Sequence, residues 1–278
     1  MLTKGVKFTN FKTKKKSLLI KKKLISLLKS KNEILNSLSQ NYKDNFTKKI
    51  LLKYKRNTNY RVIGMGGSSL GTQTIYDFLK HKIKKKFVFS DNLQVNLIKD
   101  KKKYTNLIVS KSGNTIETIV NANIFIKKKD RNIFITENKN SYLLNLAKKL
   151  KSDIIHHNNY IGGRYSVLSE VGMLPAELMG LKASNFRQLN NLIKNKQFIN
   201  SLISNVSSTL YFIKKKKFNS VIINYDERSE NLFNWYQQLI AESLGKKKKG
   251  LLPIVSNMPK DNHSTMQLYL DGFKNNFF

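Results

Sequence analysis

The sequence predicts an α/β fold in which a parallel sheet is covered by helices on both faces. Three observations carry this expectation. Apolar runs of strand length recur from residue 60 onward, segments with helical spacing alternate with them, and the junctions are rich in glycine, serine and threonine. Strands and helices alternating at this length build crossover connections, which force the strands parallel and place helices over both faces of the sheet.

Residues 1–56 read as N-terminal basic helices, because Leu18, Leu19, Leu24, Ile25, Leu27 and Leu28 recur near helical spacing and Ile34, Leu35 and Leu38 continue the pattern. Residues 57–184 read as a first α/β subdomain. Its strands are expected at Arg61-Val62-Ile63-Gly64, Phe87-Val88-Phe89, Leu107-Ile108-Val109 and Asn132-Ile133-Phe134-Ile135, with helices over 72–82, 114–127 and 140–150. In the second of these helices Ile116, Ile119, Val120 and Ile124 are spaced for one face. Residues 185–278 read as a second, similar unit: helix over 185–213, strand at Ser220–Tyr225, helix over 229–244, and a short apolar stretch at 251–255. With only about two strands, this second sheet is too small to cover its edges, so either the sequence is a fragment or a partner completes the sheet.

Composition narrows the class. The 278 residues suit two domains, and a hydrophobic fraction of 40% with only three prolines is that of a folded chain. There is no cysteine, so neither disulfides nor cysteine-held metal contributes. No apolar run reaches the length of a membrane span, and Met1-Leu2-Thr3-Lys4 lacks a secretion signal, so no membrane partner and a cytoplasmic location are expected. The net charge of +35 invites a nucleic-acid reading. The lysines, however, lie in short runs at Lys14–Lys16, Lys21–Lys23, Lys84–Lys86, Lys101–Lys103, Lys127–Lys129, Lys214–Lys217 and Lys246–Lys249, between elements and not on one face. They accompany many Asn, Ile and Phe residues, all with AT-rich codons, so base composition accounts for them and no specific nucleic-acid partner is expected.

Three junctions carry candidate chemistry. The apolar run ending at Val109 meets Ser110-Lys111-Ser112-Gly113-Asn114-Thr115 and then a helix. Hydroxyl donors beside the free N–H groups and positive end of a helix make a phosphate site, and no nucleotide signature accompanies it, so a phosphorylated metabolite is expected. The loop Gly64-Met65-Gly66-Gly67-Ser68-Ser69-Leu70-Gly71 is two-thirds of a dinucleotide fingerprint, with Asp91 at the place of a ribose-binding acid but Ser69 in place of the third glycine. It equally suits close approach to a sugar or phosphate, or a tight turn with no ligand. The third loop, Gly162-Gly163-Arg164-Tyr165-Ser166, offers Arg164 to neutralise an anion or developing oxyanion, or simply to face solvent.

Two further side chains could move protons. Trp235, Leu239 and Glu242 share one side of a helix, with Gln238 one turn before Glu242. Desolvation beside that apolar stripe would disfavour the charged carboxylate and make Glu242 a usable general base. His263 lies among Asp261, Asn262 and Ser264, as a capping residue or an acid–base group. His156 and His157 are adjacent and too few for a metal site, His81 ends a lysine-rich helix, and no spacing argues for a metal or cofactor.

Five blocks in one order then identify a family. GMGGSSLG at 64–71, VSKSGNTIETI at 109–119, GGRYSVLSEVGMLP at 162–175, NWYQQLIAESLGK at 234–246 and DNHSTMQLYLDG at 261–272 resemble glucose-6-phosphate isomerases (the phosphoglucose isomerase family) over most of residues 57–278. The resemblance implies a three-layer α/β/α sandwich of the sugar-isomerase type, with the first subdomain complete and the second partial. It implies reversible aldose–ketose isomerisation of glucose 6-phosphate and fructose 6-phosphate, in glycolysis and gluconeogenesis, with no cofactor or metal. A noncatalytic sugar-phosphate-binding protein of the same fold is the alternative. The family's catalytic glutamate falls on Glu242, its ring-opening histidine on His263 and its enediolate-stabilising arginine on Arg164. Its substrate-binding segments fall on Gly67 and Ser68, on Ser110, Lys111, Ser112, Gly113, Asn114 and Thr115, and on Gln238.

In the family the histidine comes from the neighbouring subunit, so a homodimer is implied. Two departures stand out. Asp271-Gly272-Phe273 replaces the usual Asp-Gly-Pro, and the family continues beyond the position of Phe278 to a C-terminal lysine that assists ring opening. The chain is therefore expected to be C-terminally shortened, with little or no activity by itself.

Overall fold

A computed structural model describes residues 17–93, 102–127 and 129–278. The expectations for Met1 to Lys4, Lys14–Lys16, Lys101 and Lys128 lie outside these residues.

The N-terminal region forms α1 (Leu18–Lys29), α2 (Glu33–Ser37) and α3 (Lys48–Tyr54). Ser17, Asn32 and Thr47 cap them, each accepting a backbone N–H from the first turn. The first α/β unit then runs β1 (Asn59–Ile63), α4 (Leu70–Leu79), β2 (Lys86–Ser90), β3 (Thr105–Val109), α5 (Ile116–Phe125), β4 (Arg131–Thr136), α6 (Tyr142–Lys149) and β5 (Asp153–His156). These strands form one parallel sheet of order β2-β1-β3-β4-β5. Next come α7 (Glu170–Met179), α8 (Leu189–Leu192) and α9 (Lys196–Lys214). A second parallel sheet, β7-β6-β8, contains β6 (Asn219–Asn224), β7 (Leu252–Asn257) and β8 (Asn276–Phe277), with α10 (Glu230–Leu244) and α11 (Met266–Asp271) between strands.

The first sheet is buried from both sides. All five residues of β3 are buried, and one core cluster of Val62, Leu107, Ile133, Ile155, Met173 and Leu174 lies on one face while Ile63, Ile108, Phe134, Leu143 and Ala147 pack on the other. This is the α/β sandwich expected, since adjacent strand residues point to opposite layers.

Four local expectations change. Strand β5 was not foreseen; only Ile154 and Ile155 are apolar in it, and it lies at the sheet edge. The helix expected over 185–213 is two helices, because Asn195 accepts N–H groups from Gln197 and Phe198 and restarts the helix there. On α5 the expected apolar face is reversed in part: Ile116, Val120 and Ile124 are exposed, while Thr118, Asn121 and Ala122 are buried with Ile119 packed beside them. The second sheet has a third strand, the two-residue β8. Helix α7 also contains Pro175; the Val171 carbonyl that a proline cannot bond receives the Thr72 hydroxyl instead, at 3.4 Å.

Candidate active site

The strand order places a crevice without help from any side chain. Chain direction across the sheet reverses between β1 and β3: β2 was added on one side of β1, and β3, β4 and β5 on the other. In an open parallel sheet the loops at the carboxyl ends of those two strands diverge, and a ligand fits between them. Here they are the glycine loop after Ile63 and the hydroxyl loop after Val109.

The hydroxyl loop is tightly organised. Gly113 has φ +68°, and a Cβ there would meet Ser141 Oγ at 2.2 Å, so only glycine fits. Ser110 Oγ accepts the Gly113 N–H at 3.2 Å and lies 2.9 Å from Thr115 Oγ1. Ser112 Oγ accepts the Asn114 N–H, and Asn114 Oδ1 accepts that of Tyr142. Thr115 sits at the helix start, yet no side chain caps α5, so the first-turn N–H groups at its positive end are left without a side-chain partner. Lys111 does not point into solvent; its Nζ donates to the Asn159 carbonyl at 2.8 Å and lies 3.3 Å from Glu137.

The glycine loop meets the arginine loop. A Cβ on Gly67 would fall 2.4 Å from the Gly163 carbonyl carbon and 2.5 Å from the Arg164 nitrogen, so the two backbones touch. Gly66, at φ +53°, lies under the Gln238 amide. Ser68 closes a short 3-10 turn, its N–H bonded to the Met65 carbonyl. Among the described residues no side-chain hydrogen bond or ion pair ties Asp91 to this loop, and Ser69 turns its hydroxyl back to the Gly66 carbonyl.

Helix α10 brings the second unit against this surface. Thr74 and Asp77 of α4 bond Asn231, and Trp235 Nε1 donates to the Arg164 carbonyl at 2.9 Å. Two turns later the Arg164 guanidinium donates to Glu242 Oε1 at 2.7 Å and to Ser243 Oγ at 2.9 Å. Tyr165 Oη lies 2.7 Å from the same Ser243 oxygen. Burial alone would raise the Tyr165 phenol, but the Ser243 hydrogen bond and the Arg164 cation hold it below its ordinary value. Gln238 Nε2 reaches Glu242 Oε2 at 3.4 Å, while its Oε1 is buried with no partner.

Arg164, Glu242, Gln238 and Gly67 thus converge, and Ser110–Thr115 follow the carboxyl end of the adjacent strand. One expectation is corrected. Glu242 is not desolvated on an apolar stripe; its side chain is 52% exposed and is ion-paired. His263, which the resemblance brings from a neighbouring subunit, lies apart from this cluster within the single chain. It closes a 3-10 turn over Lys260–His263, exposed, and no hydrogen bond or ion pair links it to Arg164, Glu242 or Gln238. Ser243 and Tyr165, which lie inside two of the family motifs but carry no charge to mark them, also belong to the cluster. Among the described residues there is no group of three or more His, Asp or Glu side chains able to hold a metal, and no helix long and apolar enough to cross a membrane.

The family model described as phosphoglucose isomerase matches residues 52–255, from α3 to within β7. The chain belongs to the phosphoglucose isomerase family. It is 36% identical over 244 residues to the glucose-6-phosphate isomerase of Methanocaldococcus jannaschii, covering 80% of this chain and 60% of the relative. It is 32% identical over 240 residues to that of Mycoplasmopsis synoviae, covering 77% and 56%. The chain therefore spans about 60% of the length of these curated relatives. In fold it is similar to a hypothetical protein of Thermus thermophilus (TM-score 0.71, 22% identity, 93% of this chain and 68% of the other). It is likewise similar to a glucose-6-phosphate isomerase of Chlamydia trachomatis (TM-score 0.65, 20% identity, 86% and 56%).

Proposed function

We propose that this chain carries the sugar-phosphate site of an aldose–ketose isomerase that interconverts glucose 6-phosphate and fructose 6-phosphate, a reaction of glycolysis and gluconeogenesis. The observation that carries the reading is the 2.7 Å pair of Arg164 and Glu242 standing over the crevice between β1 and β3. Family membership and the curated relatives' names support it and do not favour the noncatalytic alternative.

In this reading the hydroxyls of Ser110, Ser112 and Thr115, the backbone around Gly113 and Asn114, and the uncapped start of α5 hold the phosphate. Lys111 braces that loop and adds positive charge. Gly67 and Ser68 let the sugar approach the backbone, and the unpartnered Gln238 Oε1 accepts one of its hydroxyls. His263 opens the ring by proton transfer at the ring oxygen, from a second subunit. Glu242 removes the C2 proton and returns it to C1 through a cis-enediolate. As the carboxylate gains that proton it loses its charge, and the fixed Arg164 cation is released to the enediolate oxygen that gains it. The exposed stripe of Ile116, Val120 and Ile124 supports a homodimer. We further place the unit boundaries at 57–184 and 185–278, preceded by the helices of 1–56.

The test is coupled conversion of fructose 6-phosphate to glucose 6-phosphate by the full chain, with Glu242→Gln beside it. The variant is expected to lose about 10²- to 10⁴-fold, the usual worth of a general base. Equal turnover by both chains would remove Glu242 from the mechanism. No turnover, with 6-phosphogluconate still raising Tm, would restrict the reading to sugar-phosphate binding.

A further inference from the structure

Behind the arginine loop lies a buried polar cluster with no part in the reaction just described. The side chains of His157 and Glu170 are 1% and 0% exposed. His157 Nδ1 is 2.7 Å from Glu170 Oε1, and its Nε2 is 2.9 Å from the Ile161 carbonyl. Both ring nitrogens face oxygen acceptors, so the ring serves both as a donor only when it carries both protons. Glu170 also accepts the Asn158 N–H at 2.7 Å and the Tyr42 hydroxyl at 3.1 Å. Burial alone would push the Glu170 carboxyl up, but the hydrogen bonds from His157 and the Asn158 backbone outweigh it and keep the group ionised. A hydrogen-bonded pair this deeply buried is a weak source of net stability, so its placement matters more than its strength.

The segment that presents Arg164 is tied at both ends, one of them by this cluster. The near end is held at the Ile161 carbonyl, three residues before Arg164. The far end is held at the Leu168 carbonyl, which accepts Arg187 Nε at 3.0 Å and Nη2 at 2.8 Å, with Arg187 itself paired to both oxygens of Asp44. Between the anchors, Gly162 and Gly163 contribute no side chain, and a Cβ on Gly163 would meet nothing within 4 Å. Gly163–Leu168 form a short 3-10 helix, and backbone preference at the glycines leading into it does little to fix where that turn sits.

We propose that His157 is a positioning residue for Arg164: by bridging Glu170 to the Ile161 carbonyl it sets the height of the arginine loop against Glu242. The proposal rests on the reading of Arg164 given above. It predicts that loss of the bridge weakens contacts made by the guanidinium while leaving the phosphate site intact.

The experiment is titration calorimetry of the full chain in about 150 mM salt with two probes, 6-phosphogluconate and glucitol 6-phosphate. Both carry the phosphate, but only the first adds a carboxylate where the enediolate charge would lie. The ratio of their Kd values reads the Arg164 contact. Arg164→Ala is expected to collapse that ratio about tenfold, the size of one charge-assisted hydrogen bond. His157→Leu is expected to collapse it similarly, with glucitol 6-phosphate affinity unchanged and no further loss in the double variant. Glu170→Gln retains the ratio, because a neutral His157 can still donate from Nε2 to Ile161 while accepting from the amide. If His157→Leu does not fold, His157→Gln, which serves one partner but not both, is expected to give part of the collapse.

A ratio unchanged at His157 while Arg164→Ala collapses it overturns the positioning role and leaves the site reading standing. Equal weakening of both probes at His157 means a merely structural role and overturns it as well. No change in Arg164→Ala, or no binding of either probe, overturns the site reading and the inference together.

Discussion

Arg164 and Glu242 meet at 2.7 Å but come from regions of opposite character. The arginine loop hangs from the five-stranded unit, whose β3 and β4 are buried almost throughout. Every fully buried member of the two core clusters lies at or before Ala183. The glutamate stands on α10, which has no buried residue, beside a three-stranded sheet whose central strand β6 is only half buried. Next to it an apolar cavity of about 430 Å³ is lined by Phe212, Val221, Trp235, Leu239 and Phe277. One half of the proposed site is thus set by its own core. The other is held chiefly by docking on the first, through Asn231, Trp235 and the Arg164 pair. The lesson is that a complete motif and a complete scaffold are separate properties.

Unequal damage by matched truncations would sharpen the comparison most. Val62→Ala in β1 deletes two carbons from a fully buried side chain and is expected to cost about 2–3 kcal/mol in urea unfolding. Val221→Ala in β6, whose neighbours include the cavity, is expected to cost about 1.5 kcal/mol. Equal costs would mean that the second unit packs as well as the first. Next in size, Gly67→Ala forces two backbones apart and is expected to cost about 1–3 kcal/mol and to weaken 6-phosphogluconate binding, read together by thermal shift. Unaltered binding would separate the glycine loop from the site.

The smallest effect concerns the tie between the N-terminal helices and the sheet. Asp153 accepts from Lys53 at 2.7 Å and from Tyr54 at 2.5 Å. Burial would raise its carboxyl, but those two donors outweigh it and hold it below the usual range. A carboxyl lowered in the folded state adds stability above its unfolded value and loses it as pH falls through the folded one. Asp153→Asn should therefore cost about 1 kcal/mol near pH 7, and the gap to the unaltered chain should close below about pH 4. A gap that persists in acid would show that the tie is not ionic.

Much of the fold was legible because β1, β3 and β4 are apolar runs bounded by turn residues, a pattern that local sequence encodes directly. Strand β5 was not, since Asp153 and His156 flank only two apolar residues. The α5 face misled because Ile116, Val120 and Ile124 satisfy the helical period while turned to solvent. The meeting of Arg164, Gln238 and Glu242 could be expected only through the family motifs, because spacing within α10 says nothing of what lies opposite it. Least legible was the cluster of Tyr42, His157 and Glu170. Tyr42 and Glu170 lie 128 positions apart, and a pair of adjacent histidines carries no sign of the carboxylate that one of them meets.

The Arg187–Asp44 clamp joins residues 143 positions apart. Closing a loop of that span costs somewhat more chain entropy than pairing neighbouring strands. On a growing chain Asp44 has no partner until Arg187 has emerged, by which time all five strands of the first sheet have been synthesised. The far anchor of the arginine loop is thus written into the chain after the sheet it sits on, so the clamp can close only on a scaffold whose strands already exist.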